Sequence, residues 1–136
     1  MLIKPSQIAN YKLGLVNALN EQFIYLKQMS SIKYEFVFDM QNTINPEMEL
    51  DIYRIIKELV NNIEKYAYST KASIQLLAIN NQITIMAEDN GIGFDADKNL
   101  PGIGLNNISS RINYLKGSLY IDSNKNGTTI SIQIPI

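Results

Sequence analysis

The chain has 136 residues, 46% hydrophobic and 18% charged, with a net charge of −1, a length suited to one compact domain with a single core. Near-neutral charge without a Lys/Arg run excludes a nucleic-acid binder held by bulk electrostatics, and the lack of cysteine excludes disulfides and thiolate metal sites. No apolar stretch approaches the roughly 18–20 residues that cross a bilayer, and no secretory signal is read ahead of the first helix.

From about Pro5 to Gln28, Ile8, Leu15, Leu19, Phe23 and Leu26 recur at helical spacing, with Pro5 suited to a first turn. Ile32, Tyr34, Phe36 and Phe38 then alternate with Lys33, Glu35 and Val37, which predicts a strand with one buried face. The polar loop Gln41 to Asn45 leads to Pro46 and a long helix through about Tyr68, with Ile52, Ile55, Ile56, Leu59, Ile63 and Ala67 as its apolar stripe. Residues 72–79 and 82–88 read as strands joined at Asn80-Asn81, a pair suited to the positive φ of a tight hairpin. A glycine-rich loop over roughly 89–101 precedes a helix from about 103 to 115, which Lys116-Gly117 should stop with a cation followed by a glycine. Two strands, near 118–123 and 128–135, close the chain around the turn Asn124 to Gly127. Strands grouped with about three helices predict an α+β two-layer sandwich, one mixed sheet covered on one face.

Three segments carry chemistry. On the long helix Glu58, Asn62 and Lys65 fall within an arc of roughly 60° at helical pitch, bordering the apolar stripe. That is a place to line a pocket, although Glu and Lys at this spacing also suit a solvated face. In Asp89-Asn90-Gly91-Ile92-Gly93 an acid leaves a predicted strand into a Gly-x-Gly turn. A buried carboxylate accepts the exocyclic amino proton of adenine, which guanine does not present there, and glycines let backbone approach a base. The same residues also make an ordinary surface turn. Gly102-Ile103-Gly104-Leu105 opens a helix whose unpaired N–H groups suit phosphate. Residues 102–107 read G-I-G-L-N-N, which is no dinucleotide fingerprint, and no G-x-x-x-x-G-K-[ST] loop exists anywhere. Thr128, after Gly127 near the chain's end, suits either a site or a strand.

The order and spacing of these segments resemble the ATP-binding catalytic domain of sensor histidine kinases, in the gyrase, chaperone and histidine-kinase ATPase superfamily with its Bergerat fold. The resemblance covers essentially all of residues 1–136 as a single domain, with about 1–30 holding the linker-type helix that enters it. Leu13 to Leu19 and the ending from Arg111 to Pro135 resemble the subgroup of nitrate-sensing and membrane-thermosensing kinases with a short lid. By that resemblance Asn62 would coordinate Mg²⁺, Glu58 would act as the catalytic base, Lys65 would meet phosphate and Tyr66 would lie on the ribose–adenine side. Asp89 would read adenine within the first glycine box of Gly91 and Gly93. Gly102, Gly104 and Leu105 would form the second glycine box, with Thr128 beside the adenine carboxylate. Only Asp95 to Pro101 separate the two boxes, so a separate F box is absent, Phe94 belongs to the first glycine turn, and a segment near 95–101 is expected to order with nucleotide. The implied cofactors are ATP and Mg²⁺, and the implied location is the cytoplasm. The chain has no histidine, so the implied partner is a histidine-bearing dimerisation and phosphoacceptor domain of the same parent kinase, with a response regulator downstream and no membrane insertion or nucleic acid. An anti-sigma-factor serine kinase of the same superfamily and a non-catalytic nucleotide-binding module remain open alternatives.

Overall fold

The computed structural model of the chain describes residues 14–93 and 103–136. In chain order these form α1 (Leu15–Met29), β1 (Lys33–Met40), α2 (Pro46–Asn62) continued by a π-helical turn (Ile63–Ala67), β2 (Lys71–Ile79), β3 (Gln82–Asp89), α3 (Ile103–Tyr114), β4 (Ser118–Asn124) and β5 (Gly127–Pro135). The expected start of the first helix at Pro5, with Ile8, lies outside the described residues.

The five strands make one mixed sheet in the order β1-β2-β3-β5-β4. β1 and β2 run parallel and the remaining pairs are antiparallel. Strand alternation puts one set of side chains inward: Phe38, Leu76, Ile85, Ile132 and Leu119 form one row across the sheet. Against it pack Ile52, Ile55, Ile56 and Leu59 of α2, Leu15, Leu19, Phe23 and Leu26 of α1, and Ile108 and Ile112 of α3. Each fully buried side chain of this kind contributes about 1.5–3 kcal/mol, so the helical layer is held by its apolar stripes. The α+β sandwich with a mixed sheet and three helices is the observed fold.

Local chemistry sets the element ends. Asn45 caps α2 by accepting the Met48 N–H at 2.8 Å, with Pro46 in the first turn and Glu47 and Glu49 near the positive end of the dipole. Asn45→Ala is expected to lower stability by about 1 kcal/mol, read as a shift of the urea midpoint at constant slope. Glu49 reaches beyond its own helix and accepts the Leu15 N–H at 2.9 Å, tying the start of α1 to α2. The hairpin pair Asn80 and Asn81 takes φ 57° and 59° as expected.

Two elements end differently from the expectation. At the C-terminus of α3 the left-handed residue is Lys116, at φ 60°, and the Gly117 N–H donates to the Ile112 carbonyl at 2.8 Å. The long helix does not stay α-helical to Tyr68. It widens after Asn62 into the π-turn and stops at Tyr68, itself left-handed at φ 51°.

Candidate functional site

Where α2 and its π-turn cross the ends of β3 and β5, a pocket opens. Its walls are apolar, from Leu59, Ile63, Ala67, Ala87 and Ile130, and its few polar groups are Asn62, Tyr66, Asp89 and Thr128, with Gly93 at the edge. An apolar slot with a few convergent polar groups is the usual form of a small-molecule site, and a flat heterocycle fits its chemistry.

Asp89 ends β3 on the inner face. Sheet register sets it in one row with Tyr34, Ala72, Thr128 and Ser123. The carboxylate accepts the Gly91 N–H at 2.9 Å. Burial pushes its pKa above the ordinary aspartate value, and the backbone N–H groups of Gly91 and Thr128 pull the other way. Thr128 is buried, and its hydroxyl shares a 2.7 Å hydrogen bond with that of Ser123, which fixes its rotamer beside the carboxylate.

The glycine turn is docked on the helix layer. The Ile92 N–H donates to the Ala67 carbonyl at 3.0 Å. Gly91 sits so close to that carbonyl oxygen that a Cβ would collide with it, and Gly93 holds φ 74°. Both glycines are therefore fixed by space and backbone angle. Asn90 anchors the same turn from outside: its Oδ1 accepts the N–H groups of Thr70 and Lys71 at 2.9 and 3.0 Å, and its Nδ2 donates to the Thr70 hydroxyl at 2.9 Å.

One turn before Asn62 on α2, Glu58 faces α3. Its Oε1 lies 3.8 Å from Arg111 Nε, both side chains being partly exposed. Burial raises the Glu58 pKa above the ordinary glutamate value, and the Arg111 guanidinium opposes the rise. Glu58 Oε2, Asn62 Nδ2 and Arg111 Nε are buried without a hydrogen-bond partner. Gathered on adjacent turns of two packed helices, these atoms are placed to meet a polar ligand.

Of these atoms Glu58 Oε2 is an oxygen donor of the kind Mg²⁺ takes, and Asn62 would add its side-chain Oδ1; a few such donors suffice for Mg²⁺, which keeps most of its coordination shell as water and phosphate oxygens. Among the described residues no cluster of three or more His, Cys, Asp or Glu forms a protein-only metal cage.

Of the expected arc, Glu58 and Asn62 lie on α2 and Lys65 on the π-turn. The wider pitch of the π-turn rotates the chain after Asn62, so Lys65 is exposed and does not line the pocket, while Tyr66 does. Glu58 is also outside the pocket wall, at its α3 side. Gly104 and Leu105 lie in the first turn of α3. Gly102, Phe94 and the segment 95–101 lie outside the described residues. Sequence reasoning missed Arg111 and Asn90. Arg111 comes about two helical turns after Gly104 and hence on the same face of α3, a spacing that would have marked it.

Known proteins agree with this architecture. The sequence profile of the histidine kinase-, DNA gyrase B- and HSP90-like ATPases matches residues 47–136. The chain is 30% identical over 128 residues to the sensor histidine kinase MctS of Rhizobium johnstonii, covering 90% of this chain and 28% of that protein. It is 31% identical over 121 residues to the sensor histidine kinase ComP of Bacillus subtilis, covering 85% and 16%. With the histidine-protein kinase/phosphatase DegS of Brevibacillus brevis the figures are 32% over 127 residues, covering 91% and 33%. The chain thus spans about a third or less of these three relatives. In fold it superposes on the histidine kinase domain of the blue-light-activated kinase of Erythrobacter litoralis with a TM-score of 0.70 at 21% identity, covering 89% of this chain and 62% of that one. For Acinetobacter baumannii AdeS the TM-score is 0.68 at 20% identity, with the same coverage. With two thirds of its length under one family profile, the chain belongs to the histidine kinase-, DNA gyrase B- and HSP90-like ATPases, as an ATP-binding catalytic domain of the sensor histidine kinase type.

Proposed function

We propose that the domain binds Mg·ATP with adenine against Asp89 and donates the γ-phosphoryl group to a histidine on a separate dimerisation and phosphoacceptor domain of its parent kinase. The observation that carries this is the pairing of two halves of one site. A half-buried carboxylate closes an apolar slot, and polar atoms of Glu58, Asn62 and Arg111 that lack hydrogen-bond partners lie on the adjacent turns. The first half suits a base that donates an amino proton, and the second suits polyphosphate.

In this reading the adenine amino group donates to Asp89, while Leu59, Ile63, Ala87 and Ile130 cover the ring. Tyr66, half exposed at the mouth, lies beside the ribose. Asn62 would hold Mg²⁺, which supplies charge neutralisation on the phosphates when bound. The first turn of α3, with Gly104 and Leu105, offers its free N–H groups to the phosphate oxygens. In the transfer step an imidazole nitrogen forms a bond to the γ-phosphorus as the bond to the β-phosphate oxygen breaks. ADP leaves, and Glu58 takes the imidazole proton. No histidine exists in this chain, so the acceptor comes from elsewhere. A site within the cytoplasm, where ATP is, follows from the same reading.

Calorimetric titration tests the nucleotide half. ATP should bind more tightly with Mg²⁺ than without it, and GTP should bind far more weakly. A second arm adds histidine-bearing and serine-bearing acceptor domains with labelled ATP. Label on the histidine domain supports the proposal, label on serine alone selects the anti-sigma-type kinase, and no label with intact binding selects a non-catalytic module.

A further inference from the structure

The π-turn that aims Tyr66 and Ala67 at the pocket is held from its far side. Glu64 Oε2 accepts the Tyr34 hydroxyl of β1 and the Ser30 hydroxyl just past α1, each at 2.7 Å. Ser30 is itself fixed: its N–H donates to the Leu26 carbonyl at 2.8 Å, and its Oγ accepts the Ile32 N–H at 3.0 Å. Tyr34 is buried, and burial, with the bond to Glu64 and the charge of Asp89, pushes its phenol pKa upward. The phenol therefore stays a donor throughout the working pH range.

On its pocket side the turn meets the nucleotide loop. The Ala67 carbonyl receives the Ile92 N–H at 3.0 Å, and Gly91 rests against the same oxygen. A π-helical turn has looser backbone geometry than an α-turn and persists where surrounding contacts specify it. Two short bonds to a carboxylate are such contacts. The one to buried Tyr34 is the stronger, because the bond to Ser30 is open to competing solvent.

We infer that Glu64 is a positioning residue for nucleotide binding: by gripping the corner between α1 and β1 it sets the π-turn, and through the Ala67 carbonyl it sets the glycine turn at Gly91 and Gly93. The inference rests on the proposal that this pocket binds ATP. It also gives the end of α1 a physical connection to the adenine pocket, because movement of Ser30 and Tyr34 is transmitted through one carboxylate.

The test uses Glu64→Ala, Glu64→Gln and Tyr34→Phe in the 136-residue chain. Two quantities are read at a temperature where circular dichroism shows each variant folded: ATP affinity by calorimetry, and hydrogen exchange at the Ile92 amide. Glu64→Ala should weaken ATP binding about tenfold and speed Ile92 exchange by a similar factor. Glu64→Gln, which keeps one acceptor oxygen, should restore most of both, and Tyr34→Phe should fall between.

A structural role alone would lower the melting temperature and leave both readouts of the folded protein unchanged, which would overturn the inference. Equal losses in Glu64→Gln and Glu64→Ala would overturn it as well. If the unmutated chain binds no ATP, the ATP proposal fails by itself. Ile92 exchange then still decides whether Glu64 holds the turn.

Discussion

Asp89→Asn is expected to weaken ATP binding by about 1–3 kcal/mol and to erase most of the preference for adenine over guanine. The substitution is nearly isosteric. The asparagine oxygen can still accept the Gly91 N–H that Asp89 accepts at 2.9 Å, so the turn should survive. What changes is the edge facing the base, where an NH₂ group now opposes the adenine amino group, donor against donor. The apo domain should respond in the opposite sense. Burial raises the Asp89 pKa, so the native state holds its proton to higher pH than the unfolded chain does. Stability from this residue therefore falls as pH rises from the ordinary carboxylate value to the raised one, and the full cost is present above it. Asp89→Asn removes that slope. Urea unfolding at pH 4 and pH 7 should show the variant at least as stable as the parent at pH 7. Calorimetry with ATP and GTP measures the affinity side, and unchanged adenine selectivity would remove Asp89 from its proposed role.

A residue that costs stability in the empty domain is one kept for a ligand, and its signature was partly legible in the sequence. The acid straight off a strand into Gly-x-Gly was visible because strand period and turn chemistry are local. The same is true of the α2 stripe through Ile52, Ile55, Ile56, Leu59 and Ile63, where a period of 3.6 leaves one solution, and of Asn80-Asn81. Sheet order is different in kind. The insertion of β5 between β3 and β4 puts Thr128 beside Asp89 by a pairing about forty residues long in sequence, and no local pattern encodes it.

The π-turn was hidden for the same reason. Helical propensity continues smoothly through Glu64, Lys65 and Tyr66. The competing bonds come from Ser30 and Tyr34, about thirty residues upstream. Extending the α-helix through that stretch sets Lys65 on the face of Asn62, whereas the wider turn leaves it exposed and outside the lining of the apolar slot. Arg111 escaped notice because its meaning depends on Glu58 across a helix–helix contact. On α3 alone it is one cation in a last turn, which the helix dipole explains without any site.

Glu58→Gln separates catalysis from binding at that contact. If Glu58 takes a proton from the acceptor imidazole, the variant should slow phosphoryl transfer about 10²–10⁴-fold while leaving Mg·ATP affinity within a few-fold. Glutamine fills the same volume and keeps a polar edge toward Asn62, so the nucleotide side should be little disturbed. Loss of the attraction to Arg111 should cost less than about 1 kcal/mol, because the pair is 3.8 Å apart and both partners are partly exposed. The desolvation that raises the Glu58 pKa is relieved in the same step and offsets part of that cost. Unfolding midpoints should therefore shift little even where transfer collapses. Single-turnover transfer to an added histidine-bearing domain, with calorimetric affinity for the same protein, gives both numbers. A parallel fall in affinity and transfer would make Glu58 part of the phosphate and metal shell. A normal transfer rate would move the base to another group, and Arg111 would then stand over the phosphates as a cation whose carboxylate partner serves only to orient it.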